Sequence, residues 1–119
     1  MDSPDETITL ISAGKVQGTP VLDLNGQSLG EIYDVMLEKR TGRIAYAVMS
    51  FGGLLGVGKK YYPLPWPALK YVAQAGGYVV GIPKEELERG PTIEDTATPW
   101  ESGMMDRIEG HYRSWLRTV

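Results

Sequence analysis

The chain has no Cys, one His and one Phe among its 119 residues. Without Cys, disulfides, thiolate nucleophiles and Cys-built zinc sites are excluded, and the chain suits a reducing compartment. The single imidazole, His111, has no acid in metal-ligand register around it, so no metal site is assigned. A cationic surplus is missing too. Twelve Lys and Arg face fifteen Asp and Glu, a net charge of −3, which gives no electrostatic footprint for a nucleic acid as main partner. No apolar run approaches the roughly 20 residues of a membrane span. The N-terminus lacks the basic-then-apolar order of a signal peptide, so the expected location is cytoplasmic. Ser and Thr are scattered without a nucleophile-elbow pattern. No catalytic residue and no cofactor is assigned.

What the chain does hold is Gly and Pro, fifteen and eight respectively. That abundance predicts many turns and few long helices. The length fits one domain with an appendage. Four segments are expected: a mobile, acidic N-terminus over 1–11, a β domain over 12–90, a polar linker over 91–98, and an amphipathic helix over 99–119.

Inside the β domain the punctuation is regular. A first extended segment holds Val16 and Val21-Leu22, broken at Gly18-Thr19-Pro20. Asn25-Gly26 between β-prone flanks marks a hairpin. A second strand runs from Leu29 to Glu38, where Tyr33, Val35 and Leu37 alternate with Asp34, Met36 and Glu38. Ile32 falls out of phase, which predicts a bulge near Tyr33-Asp34. After the turn at Gly42, Ile44 to Phe51 is apolar on both faces, as for a barrel strand covered outside as well as inside. The Gly-rich stretch Phe51 to Lys60 leads to a fourth strand, Lys60 to Leu64, and then to Trp66 framed by Pro65 and Pro67, a corner whose indole is expected to fill core. Short strands at Tyr71–Ala73 and Tyr78–Val80 flank Gly76-Gly77. Pro83 to Gly90 reads as a one- to two-turn helix.

Two groups of residues carry a resemblance. Leu29-Gly30-Glu31-Ile32-Tyr33-Asp34 with Thr41-Gly42-Arg43-Ile44-Ala45-Tyr46-Ala47-Val48 resembles the first half of a PRC-barrel domain. The glycine loop followed by Pro63-Leu64-Pro65-Trp66 resembles its second half. The resemblance covers roughly Ser12 to Arg89. It implies a mainly β fold, a small six-stranded SH3-like barrel, here with a short helix and a C-terminal amphipathic helix added. It also implies a scaffold or interaction module with no shared catalytic set. The family includes the cytoplasmic domain of the photosynthetic reaction-centre H subunit and the C-terminal domain of a ribosome maturation factor.

Gly53 to Lys60 fits the first seven positions of a phosphate-binding P-loop, but the eighth is Lys60 instead of Ser or Thr. Tyr61-Tyr62-Pro63 cannot open the helix that such a loop requires, so nucleotide binding is set aside. Gly52, Gly53, Gly56 and Gly58 are expected to serve backbone geometry, as are Gly30, Gly42, Pro63 and Trp66. Asp34, a carboxylate inside an apolar strand, is expected to accept backbone N–H bonds at the bulge. Lys59 and Lys60 form an anion-friendly tip. Trp100, Met104, Ile108, Tyr112 and Trp115 recur at three- and four-residue steps, one apolar face of a helix. The expected function is a non-enzymatic interaction module that is homo-oligomeric through that face. An RNA- or ribosome-associated adaptor with Lys59, Lys60 and Lys70 as footprint is the alternative, as is a peripheral part of a membrane or photosynthetic assembly.

Overall fold

The structure, a computed structural model, describes residues 10–51, 60–93 and 103–116. Its first element corrects the expected extended segment. Ala13–Val16 (α1) form one helical turn, because the Ser12 hydroxyl accepts the backbone N–H of Lys15 at 3.2 Å and caps it. Strand β1 therefore starts only at Pro20 and ends at Leu22. The Asn-Gly hairpin follows as expected. The Asp23 carboxylate accepts the N–H groups of Asn25 and Gln27 at 2.8 and 2.9 Å and turns the chain into β2, Ser28–Leu37.

Strand β2 pairs antiparallel with β3, Ile44–Phe51, and the register slips between Ile32 and Asp34, so that Tyr33 is the extra residue. A second slip falls between Met36 and Leu37. Each slip bends and twists the ladder, which lets so short a sheet curl over its own core. In β3, Tyr46 to Ser50 are all buried, as a strand covered on both faces must be.

β3 pairs with β4, Lys60–Pro65. Pro63 and Pro65 supply no N–H for further pairing, which suits a sheet edge; the flank of β4 also takes an isolated bridge between Tyr61 and Ile93. A 3-10 turn, Trp66–Ala68, then carries the chain to β5, Leu69–Val72. A second such turn, Ala73–Ala75, leads to β6, Gly77–Val80. This turn ends β5 one residue earlier than expected.

The sheet order is β4-β3-β2-β1-β6-β5. Its two edge strands are thus neighbours in sequence, joined by the Pro-Trp corner. The result is mainly β, a six-stranded curled sheet or half-barrel. The one parallel pairing, β1 with β6, places Val21 beside Tyr78.

Two helices complete the described chain: α2, Lys84–Arg89, and α3, Met104–Leu116. The core holds Val21, Leu29, Ile32, Met49, Leu64 and Val80 from the sheet, Leu87 from α2, and Met104, Ile108 and Tyr112 from α3. No described helix is long and apolar enough to cross a membrane.

Candidate interaction surface

Helix α3 presents Met104, Ile108 and Tyr112 at steps of four, and all three are buried. Its contacts run to β4 and to the Trp66–Ala68 turn. Burying three such side chains is worth about 6 kcal/mol gross, enough to outweigh the roughly 1 kcal/mol that Gly110 costs the helix. This stripe, expected to meet another subunit, is thus placed in the core of its own chain. Trp115, near the last turn, remains 36% exposed. Trp100 lies outside the described residues.

The helix is also held at its side. His111 Nε2 lies 2.9 Å from the backbone carbonyl of Glu86 and 3.3 Å from the Glu86 carboxylate, so an Nε2–H tautomer donates to α2. On the other flank of Glu86, Arg89 stands 4.0 Å away. The next residue, Tyr112, is fully buried and its hydroxyl has no partner among the described residues. Burial raises its pKa, and the nearby Glu86 and Tyr62 add to the shift. Gly90 admits this ring: a Cβ there would stand 2.4 Å from the Tyr112 hydroxyl. Burial likewise raises Tyr46, and it raises Tyr62 with a further contribution from Glu88.

The expected structural residues fall at strained or crowded points. Gly30 sits at φ +156°, and a Cβ would meet the Ser50 carbonyl oxygen at 2.2 Å, so no side chain fits where β2 crosses β3. Asp34 Oδ1 accepts the N–H of Val35 at 2.8 Å and a Gln17 amide N–H at 3.2 Å, which ties the bulge to the α1 region. Gly42, at φ +76°, donates to the Glu38 carbonyl at 2.8 Å and closes the β2–β3 turn. Pro63 is fully buried opposite Val48. The half-buried Trp66 lies 5.5 Å from the Tyr78 ring. Lys60 is exposed at the start of β4. Gly52, Gly53, Gly56, Gly58 and Lys59, and with them the P-loop comparison, lie outside the described residues.

Several contributors had no signal in the sequence pattern. Gly77 has the carbonyl oxygen of Pro20 where a Cβ would sit, at 2.4 Å. Tyr33, on the bulge, meets Tyr61 edge to face at 4.9 Å. Lys39, Arg40 and Arg43 stand exposed on the β2–β3 turn. A cleft of about 520 Å³ beside α1 has Lys15, Gln17, Thr19 and Tyr71 in its wall. Its polar groups serve the loop itself, since the Thr19 hydroxyl donates to the Lys15 carbonyl and Gln17 reaches Asp34. A void of about 10 Å³ between α2 and the sheet, bounded by Phe51, Tyr62 and Leu87, holds one water at most.

The PRC-barrel domain family matches residues 9–87 of the chain. No curated protein matches it. Among solved structures it is similar to a 16S ribosomal RNA processing protein, RimM, from Pseudomonas aeruginosa. The two are 19% identical with a TM-score of 0.43, over 71% of this chain and 50% of the other. The matched region thus spans about half the length of that protein.

Proposed function

Since this chain belongs to the PRC-barrel family, we propose that it is a non-enzymatic, homo-oligomeric interaction module of the cytoplasm. In this reading the barrel over 12–90 is the scaffold and the helix within 99–119 is the device that meets a second copy. One observation carries it: α3 lies beyond the family match, docks on β4, and ends with Trp115 partly exposed. A large apolar side chain on an added helix is surface suited to a subunit contact. The carboxylates and His that could have been catalytic are occupied in structural roles, Asp34 at the bulge and His111 with Glu86 between two helices. Light scattering after size-exclusion chromatography of the full chain, from about 10 to 500 µM, tests the reading. A dimer or larger is expected, and a monomer throughout removes it.

A second reading, an RNA-associated adaptor, is favoured by the β2–β3 turn. Lys39, Arg40 and Arg43 project there within five residues, and none forms an ion pair among the described residues. Lys60 and Lys70 are exposed as well. Binding to a structured RNA would weaken steeply with salt, and Lys39→Glu with Arg40→Glu would flatten that dependence. Absence of binding at low ionic strength eliminates it.

A further inference from the structure

Taking the homo-oligomeric reading as its basis, we infer that two copies of this chain exchange their C-terminal helices, each α3 lying in the groove of its partner. The groove is formed by β4, the Trp66–Ala68 turn and the α2–Gly90 segment. Helix α3 fits it through Met104, Ile108 and Tyr112 and through His111 on Glu86. None of these contacts depends on which chain supplies the helix.

Reach permits the exchange. Ile93 is fixed to β4, its N–H donating to the Tyr61 carbonyl at 2.8 Å. Eleven residue steps separate Ile93 from Met104. Fully extended they span roughly 36–40 Å, as far as the molecule is wide at 39 × 36 × 33 Å. A helix can therefore arrive in the groove of an abutting copy.

The fit within the groove is not tuned for permanence. The Tyr112 hydroxyl is buried without a partner among the described residues, and it presses on Gly90. Gly110 has open space where a methyl would strengthen the helix. An arm that leaves its groove and returns at modest cost is the kind that swaps, and a mutual swap closes with two-fold symmetry instead of growing into a chain. Trp115 then becomes apolar surface beside the second copy.

The test uses two full-length variants. Gly90→Leu blocks the groove, and Ile108→Asp spoils the helix. Hydrogen exchange read by mass spectrometry separates the α3 peptides of the two variants by mass. Each variant alone is expected to lose α3 protection. In an equimolar mixture refolded together, the peptide carrying Ile108 is expected to regain protection, because an intact helix meets an intact groove only across chains. If the wild type is dimeric by light scattering but the mixture shows no recovery, the helix stays with its own barrel. The exchange is then wrong while the oligomeric reading stands. A monomeric wild type with no recovery overturns both. Should either variant fail to fold, isotope-filtered NOEs in wild-type dimers mixed from labelled and unlabelled chains decide: contacts between Tyr112 of one chain and Gly90 of the other support exchange, and their absence refutes it.

Discussion

Tyr112→Phe should make this protein more stable. The phenol is completely buried and its hydroxyl has no hydrogen-bond partner among the described residues. A polar group desolvated without compensation costs about 1–3 kcal/mol, whereas the oxygen it contributes to packing is worth a fraction of that. A net gain of about 1 kcal/mol follows, or about 4 °C in Tm for a chain of this size. Gly90 supplies the internal control. Its backbone, at φ −78° and ψ −179°, is open to any residue, so Gly90→Ala carries no conformational strain. Its cost is the contact of the new Cβ with the Tyr112 hydroxyl, 2.4 Å away. Overpacking of that kind costs about 1–3 kcal/mol. In the Tyr112→Phe background the oxygen is gone, and the penalty should fall by at least about half. Relief will be incomplete, because the far ring carbon and His111 Cδ2 would still lie at 3.1 and 3.0 Å. Urea titration of the four proteins closes the cycle. A loss of 1 kcal/mol or more in Tyr112→Phe would mean that the hydroxyl has a partner, such as a buried water. Strict additivity with Gly90→Ala would mean that the two sites do not touch.

Gly30→Ala should be far more damaging, about 3 kcal/mol or more, because the obstacle is the Ser50 carbonyl at 2.2 Å and the backbone itself is strained for any side chain; a cooperative melt near the wild-type Tm would refute this. Gly110→Ala should add about 1 kcal/mol, since the helix gains propensity and a Cβ there meets nothing within 4 Å; destabilisation in a thermal melt would contradict the placement of α3. Alkaline titration should unfold the protein through its tyrosines. Tyr46, Tyr62 and Tyr112 are all raised above 10.0 by burial. The folded state therefore holds those protons more tightly than the unfolded chain, and the stability this confers is complete below pH 10 and falls as pH climbs through the folded-state values. The loss approaches 1.4 kcal/mol per pH unit for each tyrosine, and Tyr112→Phe should make it shallower. Equal slopes for the two proteins would exclude Tyr112 as a contributor.

Local chemistry made most of the β framework legible. The phase break at Ile32 foretold a bulge because a strand tolerates one extra residue only by slipping its register, and Tyr33 is that residue. Two prolines around Trp66 could only be a corner, and the corner joins the two sheet edges. Where the pattern was misread, a competing local signal was present. Ser12 looked like a break in a strand, yet a hydroxyl three residues before Lys15 is also a helix cap, and the cap formed. The parallel pairing of β1 with β6 had no local signature at all. It is set by the curl of the whole sheet, which brings Pro20 so close to Gly77 that only hydrogen fits between them.

The helix shows where sequence reading runs out. Periodicity said correctly that Met104, Ile108 and Tyr112 share a face, because 3.6 residues per turn fixes that without reference to anything else. It could not say what the face would meet, since a core and a subunit interface of this kind demand the same residues. The distinguishing marks are elsewhere, on residues that looked ordinary in the sequence. Gly90 had read as a helix stop and is also the floor on which Tyr112 rests; His111 had read as a residue at the stripe's edge and is the link to Glu86. Both are complementary to α3 and to nothing local. A surface evolved only to be wetted has no reason to omit a Cβ at the one point where a ring from thirteen residues past Ile93's end of the chain would strike it. The groove is therefore a receptor for this helix in particular, whichever copy of the chain provides it.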